Sequence, residues 1–535
     1  MRRTRLANKN ILLIEPGYSN KYPPLGLMKI AAYHGPEGKR DKVTFVKGPR
    51  ADVLTKTWDR IYVTTLFSFE YAKIAETIDF ALDAAHGQSN RVFVGGIAAS
   101  LMPEKFNAEV RWSGVRFIRG LLTDSPAASL QLDDFAGELY ADDRSGTPIE
   151  DYVPDYDILE QIEYKYPVRD AYFAYASRGC IRKCSFCGVP KLEGDLRDTE
   201  SLGAVIRAIE GRHGTKKDLI LMDNNIVASP KFKDVIAEII DLGFTPGATL
   251  KRGKYSYKRR VDFNQGVDAR ILCKDPMYMR ELSRIAIRPV RIAFDHWGTR
   301  EPYEKSVRYA HEFGLDDLSN YMLYNFHDTP ADLFRRMRLN VDLNEELGIR
   351  IYSFPMRYQP TNLPDRSHVG EKWTKYQLRS MQIILQATQG IVSGEPAFFR
   401  RAFGESEGDY EALLRRPQHF IFNREWYDSG PGRPELEAYE ASYARLSELQ
   451  RTELMEFLSV NTPSQYRGAA KTMRDQGLRK VLEHHIPPAK QDEMLIWRKQ
   501  RKTSLPTVSL LEDEIVEDAG LEAEDETVPL VRMSA

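Results

Sequence analysis

Cysteine is scarce in this sequence, with only four residues among 535. So few thiols exclude a disulfide framework. No apolar run approaches the roughly 20 residues that span a bilayer, and the basic segment 1–6 lacks the apolar core of a signal peptide. The formal net charge of −1 offers no global attraction for nucleic acid. We therefore expect a globular, cytoplasmic protein of about three domains that has no membrane partner.

Three of the four cysteines lie close together, at Cys180, Cys184 and Cys187. Their spacing is C-x₃-C-x₂-C, and they follow the β-rich run 171–176 directly. Thiolates are the usual ligands of iron–sulfur clusters, and three of them leave one iron of a [4Fe–4S] cube open to a small chelating molecule. The alternative, a structural zinc site, needs four ligands. Its fourth ligand would have to be Cys273 or a histidine, and none lies at the usual spacing nearby, so we favour the cluster.

The cysteine spacing resembles that of the radical S-adenosylmethionine (radical SAM) superfamily, whose signature is C-x₃-C-x-aromatic-C, with Phe186 in the aromatic position. The resemblance implies that the three cysteines hold the cluster and that Phe186 supports the adenine. It also implies that S-adenosylmethionine chelates the open iron and is cleaved reductively to a 5′-deoxyadenosyl radical. An electron donor such as flavodoxin or ferredoxin would then be a partner. A cluster that is sensitive to oxygen also favours the cytoplasm.

Residues 1–150 alternate between apolar runs and helical patterns, which predicts a doubly wound, Rossmann-like α/β domain. The segment Tyr22–Leu27 and the glycine pair Gly95-Gly96 resemble the N-terminal domain of cobalamin-binding radical SAM enzymes. This resemblance implies that the two glycines approach a bound cofactor. The motif D-x-H-x-x-G is missing, however, and the pair also suits a tight turn that binds nothing. Bound cobalamin is therefore left open.

Residues 166–360 repeat strand and helix about six times, which predicts a partial (β/α)₆ barrel of the TIM type. The same architecture is implied by the resemblance to radical SAM enzymes. The predicted strands are 171–176, 218–223, 261–265, 290–295, 320–325 and 350–354. Polar residues follow these strands, at the edge where active residues of such barrels gather.

Five of the residues at this edge are expected to hold the cofactor: Asp223, Asn225, Gln265, Asp268 and Arg270. His296 and His327 are candidates for acid–base work or substrate contact, and Cys273 for hydrogen-atom donation to a radical. For each residue taken alone, a loop cap, an ion pair or a buried thiol is an equally simple interpretation.

The remaining segments carry weaker patterns. Residues 121–165 are acidic and predict a solvated connector. Residues 250–260 interleave lysine, arginine and tyrosine; we favour an exposed loop, although such a pattern also suits nucleic acid. Residues 361–505 predict a mostly helical domain, and residues 506–535 a disordered acidic tail.

The sequence therefore predicts a radical SAM enzyme with one cluster and an unidentified substrate. Three alternatives stay open: a cobalamin-dependent radical SAM methyltransferase, a member that modifies nucleic acid, and a non-catalytic iron–sulfur or zinc protein. No cysteine lies beyond Cys273, which argues against a second cluster domain.

Overall fold

The computed structural model describes residues 8–123, 147–199, 201–388, 390–392, 394–487, 493–494 and 496–497. The predicted acidic tail at 506–535 and most of the predicted acidic connector lie outside these residues. The described contacts divide the chain into two compact units, one of residues 1–18, 22–373 and 392–401, the other of residues 19–21, 374–391 and 402–535. The predicted segments 1–150 and 166–360 thus fall in the same unit, and the finer domain boundaries stay predictions.

The N-terminal part of the first unit is a mixed α/β structure built on a five-stranded parallel sheet, in which strand 1 lies between strands 2 and 3. The strands are β1 (Asn10–Glu15), β2 (Lys42–Lys47), β3 (Arg60–Thr65), β4 (Val92–Gly96) and β5 (Arg116–Phe117). The helices are α1 (Leu25–His34), α2 (Tyr71–Ala84), α3 (Ile97–Leu101) and α4 (Pro103–Asn107). The apolar run Ile11–Ile14 is fully buried on both faces, as expected for an inner parallel strand.

The central part contains six parallel strands whose order follows the chain. They are β6 (Ala171–Ala174), β9 (Asp218–Leu221), β12 (Val261–Phe263), β13 (Val290–Arg291), β14 (Asp317–Tyr324) and β15 (Arg350–Arg357). They form two three-stranded sheets, which isolated parallel bridges from Val261 to Ile287 and from Val267 to Ile292 connect. Each of the six predicted strands is therefore present, and their carboxyl ends lie at one edge.

Helices and short strands fill the connections of this central part. The helices are α5 (Val189–Leu192), α6 (Leu202–His213), α7 (Phe232–Asp241), α8 (Ala269–Leu272), α9 (Met277–Leu282), α10 (Arg300–Glu312) and α11 (Pro330–Leu347). Two antiparallel pairs complete it: β7 (Ser177–Arg178) with β8 (Arg197–Asp198), and β10 (Thr249–Arg252) with β11 (Tyr255–Lys258). The second pair replaces the exposed loop that we expected at 250–260 with an ordered hairpin.

The central strands enclose charge as well as apolar side chains. Arg291 on β13 donates from Nε and Nη2 to the two carboxylate oxygens of Asp262 on β12, at 2.8 and 2.9 Å. Both side chains are 7% exposed, and Arg291 also donates to Ser319 Oγ on β14 at 3.1 Å. A buried guanidinium is tolerated when its donors are satisfied in this way. The pair therefore ties three successive strands together.

The prediction of a solvated connector is wrong for the described part of that segment. Tyr156 is 5% exposed, and its hydroxyl donates to the carbonyl of Ala171 at 3.2 Å and accepts from the N–H of Phe173 at 3.0 Å. Ile158 beside it is also buried. Tyr156 packs against β6, because burial of its ring outweighs the tendency of the neighbouring charges to stay in water.

The described elements of the second unit are all helices. One helix, α13, begins in the first unit and ends in the second, since residues up to 401 belong to the first. In chain order, the helices beyond residue 373 are α12 (Lys375–Ala387), α13 (Pro396–Phe403), α14 (Glu407–Arg415), α15 (Gln418–Phe422), α16 (Arg424–Ser429), α17 (Arg433–Ala444), α18 (Glu448–Val460), α19 (Pro463–Thr472) and α20 (Gln476–His484). Four begin with capping boxes, at Thr374, Ser406, Ser447 and Thr462. Among the residues that the structure describes, no helix has the length and apolar character needed to cross a membrane.

Candidate cluster and cofactor site

The three cysteines lie in one tight loop at the carboxyl end of β6. The loop runs from β7 to α5, and all three thiols are free and partly buried. It folds back on itself, since the N–H of Cys187 donates to the carbonyl of Cys184 at 3.1 Å and the N–H of Cys180 donates to the carbonyl of Gly194 at 3.3 Å. The backbone therefore holds all three sulfurs on one short segment.

Two of the sulfurs accept hydrogen bonds from the backbone. The N–H of Arg182 lies 3.3 Å from Cys180 Sγ, and the N–H of Val189 lies 3.4 Å from Cys187 Sγ. Such donors stabilise negative charge on sulfur and are a common feature of sulfur-ligated clusters. The loop thus offers donors where thiolates bound to iron would carry charge.

The pKa values of the thiols respond to burial and to charged neighbours. Burial raises the pKa of Cys184, while the Arg270 guanidinium acts to lower it. Burial also raises the pKa of Cys187, and the nearby Asp295 carboxylate and the other thiols add to the effect. Because metal ligation requires thiolates, binding of iron here must release protons, and the positive charge of Arg270 favours that release.

The spacing of the three sulfurs argues against a single metal ion. Among the described residues, three ligand atoms of histidine, cysteine, aspartate or glutamate all lie within 4.8 Å of one another only at Asp155, Asp157 and His213. The three cysteine sulfurs therefore do not all lie within 4.8 Å of one another, whereas thiolates about 2.3 Å from one tetrahedral zinc lie about 3.8 Å apart. Wider spacing suits thiolates bound to separate corners of a cube.

A carboxylate anchors the start of the loop. Glu193 accepts from the N–H of Gly179 at 2.8 Å, from Arg178 Nη1 at 3.1 Å and from Asn224 Nδ2 at 2.9 Å. Arg178 also donates to Glu150 at 2.6 Å, and Glu150 accepts from Lys29 Nζ of α1 at 2.9 Å. This largely buried chain of charges links the cysteine loop to helix α1, and sequence patterns alone did not indicate it.

Three of the five predicted cofactor residues lie together beside the loop. The Asp268 carboxylate accepts from Arg270 Nε and from Arg182 Nε, each at 2.7 Å, so it joins its own segment to the cysteine loop. Its backbone N–H donates to Asn225 Oδ1 at 3.3 Å. Although burial acts to raise the pKa of Asp268, the hydrogen bonds from Arg270 and Arg182 hold it below its usual value. Two guanidiniums are thus fixed next to the cysteines.

The other two predicted cofactor residues, Asp223 and Gln265, differ from these three in their burial and in their contacts. Asp223 is buried, and its carboxylate accepts from the N–H groups of Ala176 and Ser177 and from the Ser177 hydroxyl. Burial raises the pKa of Asp223 to about 6, although these hydrogen bonds act to lower it. Its geometry is that of a residue that positions the start of the loop. Gln265 is exposed. Contact of either residue with a cofactor stays a prediction.

An aromatic cluster also contacts the loop, through Phe186. The ring of Phe186 meets that of Phe326 edge-on at 5.8 Å, and Phe326 in turn contacts the rings of His327 at 3.8 Å and Tyr358 at 4.6 Å. His368 completes the cluster at 5.2 Å from Tyr358. Sequence reasoning identified Phe186 and His327 but missed the other three. The signal for Phe326 was its position at a strand end, directly before a candidate histidine.

The remaining catalytic candidates are not joined to the loop by any contact that the structure describes. His296 is exposed, and its carbonyl accepts from the Thr299 hydroxyl at 2.8 Å. Cys273 is partly exposed and ends α8, where its N–H donates to the carbonyl of Ala269 at 3.0 Å. Their proposed roles stay predictions.

The glycine pair at the end of β4 has a packing explanation. Gly96 has a positive φ of 105°, and a Cβ at this position would lie 2.4 Å from the carbonyl oxygen of Thr65 on β3. A Cβ on Gly95 would meet its nearest neighbour, Ile118, at an ordinary 3.7 Å. The close approach that requires glycine is thus between two strands. The contact between Gly96 and Thr65 therefore explains the glycine at position 96 without a bound cobalamin.

No protein-family model and no curated protein matches the chain. Eight chains of solved structures are similar to it, and two of them are those of OxsB and HydG. The apo structure of the cobalamin-dependent S-adenosylmethionine radical enzyme OxsB shares 13% identity over 93% of this chain and 75% of that chain, with a TM-score of 0.45. The structure of HydG, a maturase of the [FeFe]-hydrogenase, shares 16% identity over 66% of this chain and 86% of that chain, with a TM-score of 0.29.

The first of these proteins is named as an S-adenosylmethionine radical enzyme, which is the family that the cysteine spacing of this chain resembles. Because both TM-scores lie below 0.5, neither likeness carries a function over to this chain.

Proposed function

We propose that this chain is a radical SAM enzyme in which Cys180, Cys184 and Cys187 bind a [4Fe–4S] cluster. The observation that carries the proposal is the loop itself: three partly buried thiols, with amide donors on two sulfurs, at the carboxyl end of a parallel strand. No fourth cysteine lies in the loop. A reduced cluster held by these cysteines would supply the electron that cleaves the sulfonium of S-adenosylmethionine, giving methionine and a 5′-deoxyadenosyl radical.

The fold that we propose around this site is a partial (β/α)₆ barrel. The parallel order of six strands supports it, as does the alternation with helices α6 to α11. For the N-terminal sheet we propose a Rossmann-like domain, which the placement of β1 between β2 and β3 supports. In such folds ligands bind at the carboxyl ends of strands, where the cysteine loop, Asn225 and Asp268 lie.

The residues around the loop would bind and orient the cofactor. Arg182 and Arg270, fixed by Asp268, present positive charge beside the cysteines, and a guanidinium is well suited to a carboxylate such as that of the methionine moiety. Phe186 and Phe326 supply apolar rings that exclude water from the same loop. Exclusion of water protects a reactive radical from side reactions.

Cobalamin is not part of the proposal. The segment that follows β1, Pro16-Gly17-Tyr18, contains no histidine, and the close approach of Thr65 explains the glycine at position 96. The substrate is a molecule that donates a hydrogen atom and is not identified. The partner is a one-electron donor such as flavodoxin or ferredoxin. We place the enzyme in the cytoplasm, where reducing conditions keep free thiols available for iron.

Cleavage of the cofactor tests the proposal directly. The protein is reconstituted with iron and sulfide under anaerobic conditions, reduced with dithionite and supplied with S-adenosylmethionine. We expect 5′-deoxyadenosine and methionine to form, as measured by liquid chromatography and mass spectrometry. The triple variant Cys180→Ala/Cys184→Ala/Cys187→Ala should form neither product. A wild-type sample that carries a full cluster and never cleaves the cofactor contradicts the proposal.

A further inference from the structure

The basic insertion before β12 is an antiparallel hairpin that projects into solvent. Its strands β10 and β11 pair from Thr249 with Lys258 to Arg252 with Tyr255. A two-residue turn joins them, with Gly253 at a positive φ of 58°. Glycine at the first turn position suits the turns that match the twist of a hairpin. All described side chains of the two strands except Leu250 are exposed.

The hairpin lies at the end of the central strands opposite to the cysteines. It precedes β12, whereas the cysteine loop follows β6, and both strands run in the same direction through β9. Arg252 fastens the hairpin to this end, since its Nη1 and Nη2 donate to the Asp170 carboxylate just before β6, at 2.6 and 2.8 Å. Any partner of the hairpin therefore binds away from the proposed cluster.

The two faces of the hairpin differ in chemistry. The strand register places Tyr255 and Tyr257 on the same face, with their ring centroids 6.3 Å apart. They are 58% and 44% exposed. The opposite face carries Lys251 and Lys258, and Lys254 extends from the turn, 5.3 Å from the ring of Tyr255. Lys254 thus lies beside the two exposed rings, and Lys251 and Lys258 lie on the other face of the same narrow hairpin.

The arginines of this segment are already engaged, but its lysines are not. Arg259 lies over the ring of Phe244 at 3.6 Å, and Arg260 is paired with Asp218 at 3.1 Å. Over the part of the chain that the structure describes, no carboxylate lies within ion-pair distance of Lys251, Lys254 or Lys258. Three positive charges on one small projection therefore remain available to an anionic partner.

We propose that this hairpin binds single-stranded nucleic acid, with Tyr255 and Tyr257 stacking on bases and the three lysines contacting phosphates. Exposed aromatic rings next to lysines are the combination by which proteins hold single strands without sequence preference. An acidic protein would account for the lysines but not for two adjacent exposed tyrosines. A duplex keeps its base faces covered and offers nothing for the rings to stack on. The surface acts independently of the cluster.

The test measures binding of a fluorescent oligomer of about 20 uridines to the full-length, cluster-free protein by anisotropy. Since each lysine that meets a phosphate adds about 0.7 to the slope of log affinity against log salt, three lysines should give about 2. The wild-type affinity should therefore fall about 20-fold between ~50 and ~200 mM salt, and K251Q/K254Q/K258Q should lose this salt dependence. Replacement of the rings in Y255A/Y257A should weaken binding about fivefold or more and leave the slope unchanged.

A matched control removes the same charge elsewhere. Lys42, Lys233 and Lys305 are exposed lysines outside the hairpin, so K42Q/K233Q/K305Q should bind almost as the wild type does. A wild-type protein that does not bind the oligomer overturns the proposal, as does a hairpin lysine variant that behaves like the control. Tyrosine variants with wild-type affinity, or equal competition by polyglutamate, would mean that the surface takes an acidic protein instead. Because the apo protein is used, failure here is separate from failure of the proposed enzyme function.

Discussion

Replacement of Glu193 by glutamine should loosen the cysteine loop selectively. Glu193 accepts from the Gly179 N–H at 2.8 Å, from Arg178 at 3.1 Å and from Asn224 at 2.9 Å. Its side chain and that of Arg178 are each 8% exposed. Glutamine retains one acceptor oxygen but turns an N–H₂ group towards these donors. Arg178 keeps its contact with Glu150, so some of the ion pairing survives.

The magnitude follows from these contacts. Loss of one partner from a buried pair costs about 3–5 kcal/mol, and a hydrogen bond to a charged group contributes about 1.5–3 kcal/mol. With Glu150 still in place, we expect about 2–3 kcal/mol of local destabilisation. Since about 1.4 kcal/mol is tenfold in an equilibrium constant, the amides near Gly179 should exchange hydrogen about 30- to 150-fold faster. Hydrogen exchange with mass spectrometry of peptides that contain Gly179 measures this directly.

The matched control is Glu346→Gln, which also removes a carboxylate from an arginine. Glu346 pairs with Arg308 at 2.6 Å, but the two side chains are 54% and 37% exposed. A surface pair of this kind contributes about 0–1 kcal/mol, so exchange in α11 should rise by about fivefold at most. If Glu193→Gln changed exchange near Gly179 no more than Glu346→Gln changes it in α11, the anchoring role of Glu193 would be refuted.

Three further outcomes can be measured. Gly96→Ala should lower the soluble yield and the thermal midpoint sharply, because its Cβ would lie 2.4 Å from the Thr65 carbonyl, whereas Gly95→Ala should stay close to wild type. Asn325 has a φ of 68°, a conformation that costs alanine about 1–2 kcal/mol more than glycine. Asn325→Ala should therefore have the lower thermal midpoint of the two variants Asn325→Ala and Asn325→Gly. Burial raises the pKa of Asp223 from 3.8 to about 6, so the folded state holds this proton more tightly than the unfolded chain. Relative to Asp223→Asn, the wild type should therefore lose about 3 kcal/mol of stability as pH rises from below ~3.8 to above ~6, as measured by urea titration.

The central strands and the cysteine loop could be predicted because their signals are local. Short apolar runs such as 218–221 form strands wherever they are buried on both sides. The closeness of Asn225, Asp268 and Arg270 to the loop follows from the same reasoning, since parallel strands deliver their carboxyl ends to one edge. Strand lengths were less predictable: the run 290–295 forms a ladder only over Val290–Arg291.

Contacts between residues far apart in the chain could not be predicted. The network of Lys29, Glu150, Arg178 and Glu193 joins three distant segments, and no periodicity marks it. The packing of Tyr156 against β6 was missed because acidic neighbours suggested a solvated connector. The hairpin was missed because a pattern of alternating charge and tyrosine has no apolar face, and its register depends on one glycine turn.

The most direct test of the central claim is the electron paramagnetic resonance spectrum of the reconstituted, reduced protein, recorded with and without S-adenosylmethionine. We expect about four iron and four sulfide per chain and a signal that changes when S-adenosylmethionine is added. Cys273→Ala should retain the iron, and Cys180→Ala, Cys184→Ala and Cys187→Ala should each lose it. A signal that S-adenosylmethionine does not alter, or loss of iron in Cys273→Ala, would show that the chain itself supplies a fourth ligand and would contradict the account.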